Sequence, residues 1–151
     1  MRAVPKAPAE THDDRRAVEA VRALSRVARV LERSCDGLSL AHYRVLSAVG
    51  SGDERASRLA TRLAVGKPAI SAAVESLCAR GMLVRTAVEG DQRAISLRLT
   101  PEGARLLAVA EAEMTARLRS LVARTGSPDR VLDACIEVGA AVDAHLAEHR
   151  R

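Results

Sequence analysis

Apolar positions recur every three to four residues over most of the chain and alternate in one stretch after residue 82. Ala17, Val21, Leu24, Ala28 and Leu31, at spacings of 4, 3, 4 and 3, predict an amphipathic helix from Asp13 to about Ser34. Asp13 and Asp14 stand at its start, where the helix dipole favours acids, and Arg22, Arg26, Arg29 and Arg33 occupy its other faces. Residues 1–12, with Pro5 and Pro8, read as a flexible tail. Cys35-Asp36-Gly37 breaks the first helix. Ser39 then has the chemistry of an N-cap for a helix through Val49 that buries Tyr43 and Leu46. After Gly50-Ser51-Gly52, a short helix is expected over residues 56–64, with Leu59, Ala60 and Leu63 inward. Lys67-Pro68 opens another, because proline is tolerated in a first turn, and it ends at Arg80 with Gly81 placed for a left-handed cap.

The period then falls to two. Leu83–Val88 and Ala94–Thr100 read as paired strands, with Ile95, Leu97 and Leu99 alternating against Ser96 and Arg98, and residues 89–93 as the hairpin loop. Thr100-Pro101-Glu102 starts a long helix to about Thr125, Thr as N-cap and Pro at the first position. Gly126-Ser127-Pro128 turns the chain into a last helix carrying Val131, Cys135, Val138 and Val142 to about His149.

Two short helices joined by a tight turn and followed by a hairpin describe a winged helix-turn-helix, in which the second helix enters the major groove of DNA. The fold class is therefore mainly α with a small β-hairpin wing. The first helix and the last two are long amphipathic elements outside the compact module at 39–100. Such helices do not bury their apolar stripes on so small a core, so a partner chain is the expected cover.

The same residues carry a family resemblance. Arg58-Leu-Ala-Thr-Arg-Leu, Ile70-Ser-Ala-Ala-Val-Glu-Ser-Leu, Arg80-Gly-Met-Leu-Val-Arg, Asp91-Gln-Arg-Ala and Leu99-Thr-Pro-Glu-Gly stand in the order and spacing of the MarR family of bacterial transcriptional regulators. The chain resembles that family over roughly residues 14 to 148. The resemblance implies a single domain over 13–151, dimerised through helices at 13–35 and 101–149. It also implies homodimers whose winged modules each read half of a near-palindromic double-stranded operator. Many members are repressors released by small ligands or by thiol oxidation.

Composition changes this picture little. The 151 residues carry 24 Lys+Arg against 19 Asp+Glu, and the only lysines are Lys6 and Lys67. Residues 53–100 hold 8 basic and 5 acidic groups, a balance of +3; residues 101–151 hold 7 and 8, a balance of −1. The reading head is thus the basic part, which suits phosphate contact. Tyr43 is the sole aromatic, so there are no ring platforms for single-stranded nucleic acid. The longest uncharged stretch, Val45 to Gly52, is too short to span a bilayer. With no apolar leader in residues 1–16, a cytoplasmic setting with Cys35, Cys78 and Cys135 as thiols is expected.

On the recognition helix, Ile70, Val74 and Leu77 define the inward face, leaving Pro68, Ser71, Ala72, Glu75, Ser76 and Ala79 outward. The serines can bond bases or phosphates, and alanines can contact thymine methyls. Glu75 can accept from a cytosine amino group, orient a nearby Arg, or simply be a solvated acid. Family members often carry Arg or another long polar residue where this chain has Ala72, which shifts weight onto the wing, helix N-termini and DNA shape. Lys67 at the helix start faces phosphate together with free backbone N–H groups. Arg93 is expected at the wing tip, where a guanidinium enters a narrow minor groove; by resemblance, Asp91 aims it and Gln92 sits beside it. Arg58, Arg62, Arg85 and Arg98 are further phosphate candidates.

An enzyme finds little support, for no triad spacing, phosphate loop or paired acids stand out. His145 and His149 share one face, yet read as surface histidines, and neither a metal nor a cofactor is expected. The cysteines read as small core residues. By resemblance, an effector pocket lies between the dimer helices and the winged module, lined by Leu24, Leu31, Leu46 and Leu107 with His42 and Tyr43 as polar handles. A protein-interaction scaffold without specific DNA binding is the alternative reading.

Overall fold

The computed structural model describes residues 12–52, 59, 63, 66–88 and 91–148; of Val88 and residues 91–94 it describes the backbone. In chain order these are α1 (His12–Glu32), α2 (Leu40–Gly50), α3 (Lys67–Ala79), β1 (Leu83–Val88), β2 (Asp91–Leu99), α4 (Pro101–Val122) and α5 (Pro128–Glu148). The helix expected over 56–64 lies outside the described residues except at Leu59, which is fully buried, and Leu63, whose N–H bonds the Leu59 carbonyl at 2.9 Å. Residues 1–11 and His149 also lie outside, but His12, expected in the tail, begins α1.

Local chemistry sets the helix ends. The Ser39 hydroxyl accepts the His42 N–H at 3.2 Å and caps α2. At the end of α3, Gly81 adopts φ 72°, the Met82 N–H reaches Leu77 O at 2.9 Å and the Gly81 N–H reaches Cys78 O at 3.0 Å. That pair of bonds closes a Schellman turn, which needs a residue free to be left-handed. The long helix α4 stops at Val122 rather than Thr125, because Arg124 and Thr125 bond carbonyls three residues back and tighten its last turn.

The hairpin differs from expectation at its tip. Regular pairing runs from Leu83↔Leu99 to Ala87↔Ile95, and then Val88 pairs with Asp91. The strand β2 thus begins at Asp91, the connection is residues 89–90, and residues 92–94 sit in a register shift instead of an open loop. Sequence alternation cannot reveal such a bulge, because the pairing partner fixes it.

The core lies among α2, α3, the hairpin and α4. Val45, Leu46, Leu59, Leu77, Leu83 and Leu97 are its fully buried side chains, joined by Ala110 and Met114 of α4. Just after α1, Cys35 is buried and its thiol donates to the Ala110 carbonyl at 3.6 Å. The first turn of α4 is tied to the end of α3. The Thr100 hydroxyl donates to Gly81 O at 2.7 Å and accepts the Gly103 N–H at 3.0 Å, while the Thr100 N–H reaches Met82 O at 3.1 Å.

The terminal helices are uncovered. Neither α1 nor α5 has a buried residue. Val21 is 63% exposed, Leu24 56% and Ile136 70%, with Val18, Val138 and Val142 also out. Cys135, expected in the core, is exposed on α5, because among the described residues the apolar stripe there, with Val138 and Val142, is left open. Among the described residues, no helix is long and apolar enough to cross a membrane, and no cluster of potential metal ligands occurs.

Candidate nucleic-acid interface

Burial of one face orients α3. Ile70, Ala73, Val74 and Leu77 all point into the core. Ala73 completes the inward stripe at the i+3 spacing from Ile70; its small size left it unassigned in the sequence. With that face fixed, Pro68, Ala69, Ser71, Ala72, Glu75 and Ala79 are exposed and Ser76 is half-buried. Lys67 is exposed in the first turn, where Pro68 supplies no N–H and the Gly66 cap makes no side-chain bond to the helix. The Ala69 and Ile70 N–H groups are both given to Gly66 O, at 3.0 and 3.3 Å, so the set of free N–H groups expected here is not present, and the exposed Lys67 is what this turn offers a phosphate.

On the wing, Arg85 and Arg98 project into solvent from β1 and β2. The backbone carries Asp91, Gln92 and Arg93 at the start of β2, next to the two-residue connection. Their side chains, together with Arg58 and Arg62, lie outside the described residues.

The residues expected in an effector pocket do not converge. Leu46 is sealed in the core, while Leu24 stands on the open face of α1. Leu107 lines an open cleft of about 330 Å³ with Ser47, Ser51, Leu99 and Glu111, between the end of α2 and α4. Tyr43 lines a smaller one of about 180 Å³ with Arg44, Ser47, Leu63 and Asp143. His42 is half-buried, its Nδ1 is shut off from solvent, and that atom has no hydrogen-bond partner among the described residues. Burial lowers its pKa, and the Arg80 guanidinium beside it lowers it further. Sequence reasoning gave no hint of this pairing, since it joins α2 to the cap of α3 only through the fold. Burial, with Glu113 and Asp36 nearby, raises the Cys35 thiol pKa against an opposing hydrogen bond from Ser34. A thiol held protonated is a poor nucleophile.

Residues 36–94, which span α2, α3, β1 and the start of β2, match the family model for the MarR family. No match was found among curated proteins. Among solved structures, the chain is similar to a MarR-family transcriptional regulator from Rhodococcus sp. RHA1, at 22% identity and TM-score 0.76 over 89% of this chain and 96% of that one. It is also similar to CouR from Rhodococcus jostii RHA1, bound to p-coumaroyl-CoA, at 23% identity and TM-score 0.73 over the same shares, 89% and 96%. A third is BpsR of Bordetella bronchiseptica, whose DNA binding is regulated by 6-hydroxynicotinic acid, at 18% identity and TM-score 0.69 over 84% and 98%. Residues 36–94 thus match the MarR family model, and the described residues share the winged-helix fold of the solved regulators of that family.

Proposed function

We propose that this protein is a sequence-specific double-stranded DNA-binding transcriptional regulator, acting as a homodimeric repressor that occludes a near-palindromic promoter site. The observation that carries the reading is α3: its apolar side is locked into the core while its opposite side stands free, within a module that matches the MarR family. A helix held this way presents its side chains to the major groove. Lys67, exposed in the first turn, takes a phosphate. Arg93 enters the minor groove beside the wing, with Asp91 and Gln92 placing it, and Arg58, Arg62 and Arg85 hold flanking phosphates.

The uncovered stripes of α1 and α5 support a second copy as their cover. Release by a small ligand fits the clefts that open between α2, α4 and α5. Relatives bound to p-coumaroyl-CoA or regulated by 6-hydroxynicotinic acid point to carboxylate- or phosphate-bearing aromatic effectors. Thiol oxidation at Cys35 is disfavoured by its burial and raised pKa.

Selection of bound fragments from random duplex DNA at a stated salt concentration, with light scattering of the free protein, tests the reading. The expected result is one enriched near-palindrome and a dimeric mass. Absence of any enriched sequence would replace the regulator by the interaction scaffold.

A further inference from the structure

The fold designates α3 as the reading element, and its exposed ridge then decides what is read. Pro68, Ala72, Glu75 and Ala79 follow one another at spacings of 4, 3 and 4 along that ridge, with Ser71 and Ala69 flanking it. No cation occurs between Lys67, in the first turn, and Arg80, beyond the last. Arg80 in turn lies close enough to His42 of α2 to depress its pKa. Guanine is read in the major groove chiefly by a bidentate Arg or Lys on its O6 and N7. This ridge offers neither.

Short side chains let the helix axis approach the groove floor closely. The one apolar group on that floor is the thymine C5 methyl, and of the two amino groups there, adenine N6 and cytosine N4, a lone carboxylate typically takes the second, since adenine's adjoining N7 is an acceptor that repels it. Glu75 also works by exclusion. A carboxylate set against a guanine edge meets only acceptors, within the negative potential of the phosphates.

We infer that α3 reads pyrimidines: Ala72 packs on a thymine methyl, and Glu75 accepts from a cytosine amino group while rejecting guanine at that place. The inference rests on the DNA-binding reading above and names the base chemistry of the same site. Its consequence is an operator whose half-site keeps a thymine and a cytosine on the strand facing α3.

The test uses the full chain and its selected operator in fluorescence anisotropy at fixed salt. Each thymine of a half-site is replaced in turn by deoxyuridine, which removes only the methyl group. One position per half-site is expected to lose about fourfold in affinity, the effect of one CH2-sized group leaving an apolar contact. Ala72→Gly should abolish that thymine-over-uracil preference, a ratio measured within one protein and so insensitive to a change in its stability. Glu75→Gln should relax the choice at the cytosine. An operator bound with no uracil penalty at any thymine overturns the inference and leaves the regulator standing, as does a cytosine preference unchanged in Glu75→Gln. Failure to select any operator sinks both.

Discussion

Gly103 lies in the first turn of α4, and replacing it with alanine sets two physical effects against each other. Intrinsic helix propensity favours alanine over glycine by roughly 1 kcal/mol in a helix interior, so propensity alone makes Gly103→Ala stabilising. The structure gives the opposite sign. A Cβ there would stand 2.0 Å from the Met82 carbonyl oxygen and 2.9 Å from its carbon. Both are backbone atoms with no rotamer to yield. The same carbonyl accepts the Thr100 N–H, and the Met82 N–H closes the end of α3. Relief therefore requires α4 to move off the α3–β1 turn by about 1 Å or more, at an overpacking cost of about 1–3 kcal/mol. Loosening one hydrogen bond adds roughly 1 kcal/mol. Set against the propensity gain, the net is a destabilisation of about 1–3 kcal/mol. For a chain of this size that lowers Tm by roughly 2–4 °C per kcal/mol. Circular dichroism melts at one fixed protein concentration, which the proposed dimer demands, measure it. A Gly103→Ala protein melting at or above the wild-type temperature would refute the close-contact argument.

Three further outcomes are expected. His42 has a lowered pKa in the folded chain, so below its ordinary value of about 6.5 the unfolded chain binds the extra proton and stability falls as pH falls. Urea titrations from pH 7.5 to 5 should show that slope, and His42→Gln should flatten it; an equal slope in the variant removes His42 as the cause. Cys35 should resist alkylation at pH 8 until the protein unfolds, as read by mass spectrometry of modified peptides, because it is buried and its pKa is raised; prompt labelling in the native state would contradict that packing. Arg93→Ala should weaken operator binding by about tenfold or more, in line with the ~1–3 kcal/mol of a base-reading arginine, and leave the melting curve in place. Unchanged affinity would take the wing out of recognition.

What could be read from the sequence was local chemistry. Ser39 and Thr100 mark helix starts through bonds made within a few residues, Pro101 through its ring and Gly81 through a left-handed backbone, and each stands where its local chemistry dictates. The inward face of α3 was equally legible, because a 3.6-residue period maps directly onto burial; on α2 only Leu46 was, for Tyr43 is half-buried and Val45 and Ala48 fill the core beside it. Features that depend on a distant partner were not. The register shift opposite Val88 arises from the pairing of two strands, so the expected five-residue loop became a two-residue connection. The His42–Arg80 proximity and the Gly103–Met82 contact join elements far apart in the chain. The surroundings of the expected pocket residues were hidden for a related reason: periodicity marks Leu24 and Leu46 alike as apolar, although in the single chain one faces open space and the other the core.

The joint between α3 and α4 carries a mechanical consequence. Gly81 and Met82 offer their carbonyls to Thr100, so the end of the reading element and the root of a 22-residue helix are one rigid corner. That helix is a rod of about 33 Å. Tilting such a rod by about 5° about its far end displaces its root by about 3 Å, close to the rise of one base pair. Under the proposed function, and with the corner tied by these bonds, a small tilt set at the distant end would shift the module facing DNA by one step of the DNA ladder. The length of α4 acts as a gain setting for whatever acts on it.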